Sequence, residues 1–287
     1  MNCRSLLLVG MVAGLNEGQG HPALFGSGTI STQAPEFAIT FSAGGDEVFF
    51  NRATPDRRSM VIMTARLVNG RWTTPTVAPF SGTDLDVDAF LAPNGRRLYF
   101  SSNRPRGQGK KGDFNTWYLE RTDQGWSPPI DPGAPLNSDS SETFVSESRD
   151  GTLVFNSNRS GTNRVYLARR TATGWTVPEP IAFGSMLGGG NPLIDPDGRF
   201  IVLVAPGPDD RADLHISCRD GARWGEPTRL PVVNSRWADF APAFRAPRTI
   251  YFTSERPGLV PAMADSIRPP GDVYSAELPI QCPARSR

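Results

Sequence analysis

A single unit recurs five times along this chain, and the repetition constrains the fold more than any other feature of the sequence. Three copies are clear: residues 86–104 (DVDAFLAPNGRRLYFSSNR), 142–159 (ETFVSESRDGTLVFNSNR) and 239–256 (DFAPAFRAPRTIYFTSER). Weaker copies lie at 36–52 and 189–207. Such repeats indicate an architecture in which each unit is one supersecondary element packed against its neighbours.

Two independent markers keep the same period. The first is a glycine turn between two apolar runs, which is a strong short-range signal of a β-hairpin. Its glycines are Gly45, Gly95, Gly151 and Gly198, at intervals of 50, 56 and 47 residues. The second is a tryptophan that follows a polar turn and precedes a proline, and we expect it to fill the wedge between adjacent units. These tryptophans are Trp72, Trp126, Trp175 and Trp224, at intervals of 54, 49 and 49 residues.

Each unit reads as four antiparallel strands, which is the blade of a β-propeller, so the sequence predicts an all-β, five-bladed propeller. The last unit has no tryptophan-led strand, whereas residues 23–32 resemble one. We therefore expect the N-terminal strand to complete the last blade and close the ring. Six blades are the alternative. The predicted repeats share one domain, 21–287, and are approximately 36–86, 87–141, 142–188, 189–238 and 239–287.

The repeat pattern is acid-x-x-[AP]-x-[FL]-x-x-[DN]-G-x-x-[LI]-[YV]-F, then Ser-Asn-Arg, then Trp-x-x-Pro. It resembles the WD40-like propeller repeat found in TolB and in many exported bacterial proteins, and the resemblance covers residues 25–279. It implies an exported propeller of the binding or scaffold kind. The Trp-Asp dipeptide of true WD40 repeats does not occur, and the propeller of TolB has six blades, so the partners of TolB are not implied.

An acidic residue opens the first strand of four units, and an arginine follows the second strand. Because the first strand of a propeller blade lines the channel, we expect the four acids to ring one channel mouth. The fourth unit has Gly189 and Gly207 at the two positions and lacks both charges. Acid and arginine should therefore pair within a blade, since an orphaned buried charge is costly. The predicted structural ion pairs are Glu36–Arg52, Asp86–Arg104, Glu142–Arg159 and Asp239–Arg256.

Two irregular segments are candidate binding positions. In the fourth unit, Gly189 and Gly190 expose backbone amides without side-chain bulk, and Asn191 follows them. In the second unit, a long glycine-rich loop carries Arg106 together with Lys110 and Lys111, which could meet an acidic partner. The alternatives are loop slack at a degenerate repeat and an ordinary solvated loop tip.

An enzyme is the alternative to a binding protein. A glycosidase needs only two suitably spaced carboxylates, and the candidates near the channel are Asp86, Asp88 and Glu142. Asp88 is the one channel-strand acid outside the repeated position. Against catalysis, the other acids recur with the repeat, whereas catalytic groups usually depart from it. No Gly-x-Ser-x-Gly elbow occurs, which excludes a propeller-capped serine hydrolase of that type.

Composition narrows the partners and the compartment. The net charge of +1 gives no basic face for nucleic acid. Residues 1–20 contain Arg4 and a short apolar run from Leu6 to Leu15, which is too short to span a bilayer and fits a signal peptide. We therefore expect a periplasmic or secreted protein without a transmembrane segment, although a misassigned start is the alternative.

Metal and disulfide chemistry have little support in the sequence. The two histidines, His21 and His215, are too far apart in the repeat to supply clustered metal ligands. Cys218 and Cys282 could pair in an exported protein, but the fold does not need a bridge, and two small buried apolar residues are the favoured interpretation. The sequence thus favours a monomeric, non-catalytic scaffold that binds a protein or a glycan at one propeller face without a cofactor.

Overall fold

The structure, a computed structural model, describes residues 21–107, 112–246, 249–259, 270–278, 280 and 282. These residues form five small antiparallel sheets and no helix, so no helix of theirs could cross a membrane. The inner strand of each sheet contacts the inner strands of both neighbouring sheets, and the fifth contacts the first. The chain is therefore a five-bladed β-propeller, as the repeat predicts. The predicted leader, 1–20, lies outside the described residues.

Each blade contains an inner, a second, a third and an outer strand. The inner strands are Glu36–Phe41, Asp86–Leu91, Glu142–Glu147, Gly190–Ile194 and Asp239–Ala246. The second strands are Glu47–Ala53, Arg97–Ser102, Thr152–Ser157, Phe200–Pro206 and Thr249–Ser254. The third strands are Met60–Val68, Asn115–Thr122, Arg164–Arg169, Ala212–Asp220 and Asp272–Glu277. The outer strands are short segments: Arg71–Trp72 and Thr76–Val77, Gly125–Trp126, Glu179–Pro180, Arg223–Trp224 and Thr228–Arg229, and Ala23–Leu24.

The repeated glycine turn joins the inner strand to the second strand. In blade 2, Gly95 has φ +68, and its amide donates to the carbonyl oxygen of Ala92 at 2.8 Å. Asn94 Oδ1 accepts the amide of Arg96 at 2.9 Å, which satisfies a further turn donor. Asparagine and glycine tolerate this geometry, so the turn chemistry fixes the register of the hairpin.

The ring is closed by the N-terminal strand. Ala23–Leu24 pairs antiparallel with the third strand of blade 5, opposite Ser275 and Tyr274, and thus completes the last blade. The chain then turns into blade 1, where Ile30 is fully buried in an apolar cluster built from blades 5 and 1. Phe25 packs in the same cluster against Tyr251, with ring centroids 5.0 Å apart. This segment therefore joins the two ends of the propeller.

Tryptophans fill four of the five spaces between blades. Trp72, Trp126, Trp175 and Trp224 each pack on an apolar cluster formed by their own blade and the preceding one. The fifth space, between blades 4 and 5, has no such tryptophan, because the outer strand of blade 5 is Ala23–Leu24. Ile280, Cys218 and Cys282 pack on the cluster there.

The expectation that the two cysteines stay unpaired is wrong. Cys218, on the third strand of blade 4, forms a disulfide with Cys282, and their Cα atoms are 5.6 Å apart. The bridge holds the segment after blade 5 against blade 4, in the space that lacks a tryptophan. The sequence argument considered only what a propeller in general requires, and not this particular gap.

Candidate functional site

Four blades contain an ion pair between the acid that opens the inner strand and the arginine that follows the second strand. The separations are 2.7 Å for Glu36–Arg52, 2.7 Å for Asp86–Arg104, 3.0 Å for Glu142–Arg159 and 2.8 Å for Asp239–Arg256. Every pair lies within one blade. All four acids are completely buried, and burial raises the pKa of the Glu36 carboxyl from its ordinary value.

The same arginines fasten the segments that enter each blade. Arg159 Nη2 donates to the carbonyl oxygen of Leu136 at 2.6 Å, and Arg256 Nη2 donates to that of Val233 at 2.5 Å. The guanidinium of Arg159 also lies over the rings of Phe155 and Tyr166, at 5.4 and 5.1 Å from the centroids. These contacts consume the donors of the arginines, so the pairs are structural elements of the blade.

Blade 4 uses a different ion pair. Gly207 stands where the other blades have an arginine, and a side chain there would overlap the carboxylate of Asp213. Asp213 instead pairs with Arg229 on the outer strand of the same blade. The joint absence of acid and arginine at the repeated positions is thus compensated within the blade.

The expectation that the four acids ring a channel mouth is wrong. They are buried, and the central cavity is lined from a point two residues further along each inner strand. Apolar side chains near the starts of the inner strands, among them Phe37, Val87 and Phe240, belong to one cluster at the acid end of the channel. The cavity extends from there to the hairpin turns, so its opening lies at the opposite end from the acids.

A β-bulge interrupts every inner strand at the same place. The bulge residues have positive φ although none is glycine: Ala38 (50°), Asp88 (58°), Phe144 (53°), Asn191 (45°) and Ala241 (49°). The ladder register shifts at each of them. Bulges turn side chains away from the regular pleat and occur often near functional sites. All five bulge residues line the cavity.

Side chains of the preceding blade hold three of these bulges. Asn51 Oδ1 accepts the amide of Asp88 at 2.8 Å, and Asn156 Oδ1 accepts that of Asn191 at 2.7 Å. Thr253 Oγ1 accepts the amide of Ala38 at 3.1 Å. Blade 4 has Val204 at the equivalent position, and Asn191 Oδ1 accepts the amide of Ala241 at 3.1 Å instead.

The central cavity measures about 1180 Å³. Three consecutive blades contribute larger bulge residues to its floor, namely Asp88, Phe144 and Asn191, whereas blades 1 and 5 contribute alanines. The floor therefore has a polar–aromatic–polar arc on one side. The Asn191 Nδ2 group has no hydrogen-bond partner among the described residues, because the bonds of this residue use its Oδ1 and its backbone amide.

Asp88 is an uncompensated acid. It is 6% exposed, its amide is bonded to Asn51, and within the described parts of the chain no group donates to or pairs with its carboxyl. Burial raises the pKa of Asp88 from 3.8 to about 8. The carboxyl is therefore largely protonated at neutral pH and can donate a hydrogen bond into the cavity as well as accept one.

Charged residues of blades 3, 4 and 5 lie around the opening. Arg149 pairs with Asp197, and Arg199 Nε lies 2.9 Å from Asp195 Oδ2. Two further arginines, Arg219 and Arg245, line the same part of the cavity. Ile280 and Cys282 also contribute to the wall, so the disulfide holds part of the cavity boundary.

The structure separates most of the sequence-predicted site residues. Of Asp86, Asp88 and Glu142, only Asp88 lines the cavity, since the other two are in ion pairs. Gly189 and Gly190 do not line it, and a side chain at 189 would meet Leu203. The sequence reasoning missed Phe144, which is visible only as the residue two positions after each repeated acid.

The basic loop of blade 2 is only partly described. Arg106 Nε lies 3.0 Å from Asp131 Oδ2, and its Nη1 donates to the carbonyl oxygen of Ser138 at 3.0 Å. Its charge is therefore used within the protein. Lys110 and Lys111 lie outside the described residues, and so does any partner-binding role predicted for them.

Cavity chemistry is limited to binding and proton donation by the groups on the page. No cluster of three or more histidine, cysteine, aspartate or glutamate residues able to hold a metal occurs among the residues described. His215 lies on the third strand of blade 4, where its Nδ1 is 3.1 Å from the carbonyl oxygen of Asp213. The one uncompensated carboxyl in the described wall is Asp88.

No protein-family model matches the chain, and no curated protein matches it in sequence. Solved structures resemble its fold. A TolB-type protein of Agrobacterium tumefaciens superposes with a TM-score of 0.52 at 14% identity, covering 87% of this chain and 92% of that one. TolB of Acinetobacter baumannii gives 0.50 at 13% identity, covering 84% of this chain, which spans only 54% of that protein. The catalytic domain of a GH62 α-L-arabinofuranosidase from Coprinopsis cinerea gives 0.53 at 11% identity, covering 90% and 94%. At these identities the likeness concerns the fold alone.

Proposed function

We propose that this protein is a non-catalytic, exported propeller that binds a glycan in its central cavity. The observation that carries the proposal is the floor arc of Asp88, Phe144 and Asn191. A sugar offers hydroxyls at its rim and an apolar C–H face, and the arc offers hydrogen-bonding groups on both sides of an aromatic ring. The cavity also has the size expected of a small-molecule site.

A glycan suits the cavity better than a folded protein does. The polar groups lie at the bottom of a recess behind the hairpin turns, where a chain end or a single sugar unit can reach them. The five rigid blades fix the positions of these groups before binding, which lowers the entropic cost of association. Hydrogen bonds from neighbouring blades to the bulges support the same preorganisation.

Hydrolysis is the second candidate, and one observation favours it. A carboxyl with a pKa raised to about 8 is suited to serve as a general acid. A glycosidase of the usual kind also needs a second carboxylate. The other two cavity acids, Asp195 and Asp197, are engaged by Arg199 and Arg149. The described wall therefore holds one half of such a pair, and we favour binding.

The test is a glycan array followed by calorimetric titration of the best neutral oligosaccharide. The proposal expects binding that weakens about tenfold or more in Asp88→Ala and in Asn191→Ala, because each removes a buried hydrogen bond to the ligand. Asp123→Ala, in an exposed turn away from the cavity, is the matched control and should bind as the wild type does.

Product analysis of the same mixtures separates the two candidates. Stable complexes with unchanged oligosaccharide support binding. Release of shorter sugars that stops in Asp88→Asn, with the melting temperature maintained, would establish the hydrolase instead. Wild-type protein that binds no glycan on the array, or cavity variants that bind as tightly as the wild type, would refute the glycan site.

A further inference from the structure

The cavity wall has two levels of different electrostatic character. The floor offers the protonated Asp88, Phe144 and Asn191, and carries no fixed charge at neutral pH. The level of the hairpin turns carries four arginines against two aspartates. The chain as a whole is nearly neutral, with a net charge of +1, so the positive excess is a local property of the opening.

Two of the four arginines have no acidic partner. Arg149 and Arg199 are compensated by Asp197 and Asp195. Arg219 and Arg245 form no ion pair with any residue that the structure describes, and both line the cavity. An uncompensated guanidinium beside a recess attracts an anion more strongly than one on an open surface, because the surrounding protein excludes part of the water.

Both guanidinium groups are held in place without using most of their donors. Arg219 Nε donates to the carbonyl oxygen of Gly221 at 3.0 Å, and its group lies 5.6 Å from the ring of Trp224. Arg245 Nη2 donates to the carbonyl oxygen of Gly45 at 2.9 Å, and its group lies 5.6 Å from the ring of Phe41. A guanidinium has five N–H donors, so most of them remain for a planar, bidentate acceptor such as a carboxylate.

The distance between the two levels fits an extended ligand. Ala241 at the floor and Arg245 at the turn belong to the same inner strand and are four residues apart. At a rise of roughly 3.3 Å per residue this is about 13 Å, which is the length of a short oligosaccharide and not of a small ion.

We propose that the ligand of this cavity is an acidic oligosaccharide, with one sugar ring on the Asp88–Phe144–Asn191 floor and a uronic-acid carboxylate near the opening at Arg219 and Arg245. The inference rests on the proposed glycan-binding function and specifies its ligand class. Neutral hydroxyls are recognised at the uncharged level, and the carboxylate is recognised at the cationic level.

The experiment compares each acid with its own neutral ester. Trisaccharides of galacturonate, mannuronate and glucuronate are titrated calorimetrically beside their methyl esters, which keep the sugar and its linkages and remove the charge. For at least one sugar the free acid should bind about tenfold or more tightly than the ester, and the advantage should shrink from about 50 mM to about 500 mM NaCl as the charges are screened.

Paired variants locate the effect. Arg219→Gln combined with Arg245→Gln should abolish the advantage of the acid and leave the affinity for the ester within about twofold. Arg58→Gln combined with Arg71→Gln is the matched control, because it changes the net charge equally on exposed residues of blade 1 that do not line the cavity. Melting temperatures of both double variants verify that they fold.

Each outcome decides one of the two proposals. Esters that bind as tightly as acids, or an advantage that persists in the Arg219/Arg245 double variant, would overturn the acidic ligand and leave the glycan site standing. Acids and esters that fail to bind while neutral glycans bind would do the same. Failure of every acidic and neutral glycan would overturn the glycan site itself.

Discussion

Arg104 Nη2 lies 2.7 Å from Asp86 Oδ1 and donates a second hydrogen bond to the carbonyl oxygen of Phe80, at 3.0 Å. Phe80 precedes blade 2, so one guanidinium joins the incoming segment, the inner strand and the end of the second strand. Asp86 Oδ2 is buried without a partner, since Gly82 occupies the position where other blades place a serine or threonine on the acid. The carboxylate of blade 2 therefore depends on its arginine more than the others do.

Replacing Arg104 by alanine should lower the free energy of unfolding by about 3–5 kcal/mol, because it leaves the Asp86 carboxylate buried without a counterion. Urea denaturation followed by tryptophan fluorescence measures the loss. Arg58→Ala, in which an 89% exposed side chain is removed, is the control and should change stability by less than about 0.5 kcal/mol. Equal stabilities for the two variants would show that the pair contributes nothing.

The stability of the protein should depend on pH through Asp88. Its pKa is about 8 when folded and 3.8 as the ordinary value, so the folded state keeps a proton that the unfolded chain loses. This contribution to stability is complete below pH 4 and is lost as the pH rises towards 8. Melting temperatures of the wild type and Asp88→Asn, measured between these limits, should diverge in slope, with the variant less sensitive to pH. Parallel curves would contradict the assigned protonation.

Removing the disulfide should destabilise the propeller. The bridge closes a loop with a sequence separation of 64 residues, and loss of a bridge of this kind costs about 2–4 kcal/mol. Cys218→Ser combined with Cys282→Ser is compared with the wild type in denaturant, each with and without dithiothreitol. The reductant should destabilise only the wild type. A wild type that is insensitive to the reductant would refute this contribution of the bridge.

Ring closure should depend on the segment after the N-terminal strand. Ile30 is fully buried between blades 5 and 1, so Ile30→Ala should cost about 2–5 kcal/mol through the lost contacts and the cavity left behind. Val177, which is 73% exposed, supplies the control substitution Val177→Ala. Hydrogen exchange should show faster opening of blades 1 and 5 than of blade 3 in the Ile30 variant. Uniformly faster exchange would argue against a local role in closure.

The fold was predictable because its determinants are local and repeated. The hairpin turn around Gly95 and the tryptophans at the outer strands recur with nearly constant spacing, so even divergent blades reveal their period. Closure by residues 23–32 followed from counting strands. The disulfide did not follow, because it depends on the space between blades 4 and 5, which the repeat does not describe.

The site was less predictable because a bulge reverses the simple rule of alternation. Along a regular strand, Asp86 and Asp88 should face the same side, and they were treated together as channel acids. The bulge at Asp88, with φ 58°, separates them, so that Asp86 is buried against Arg104 and Asp88 reaches the cavity. Positive φ at a residue other than glycine has no firm signature in a single sequence.

The interruption of each inner strand has a consequence for how ligand preference can change. A side chain at positions 38, 88, 144, 191 or 241 stands outside the regular cross-strand pairing, so exchanging it alters the recess while the surrounding hairpins keep their alignment. Backbone geometry restricts the choice towards asparagine, aspartate and other residues that accept a left-handed conformation. Five adjustable sites on an otherwise invariant frame would let one architecture serve many sugars, with selectivity set by composition at a single level of the ring.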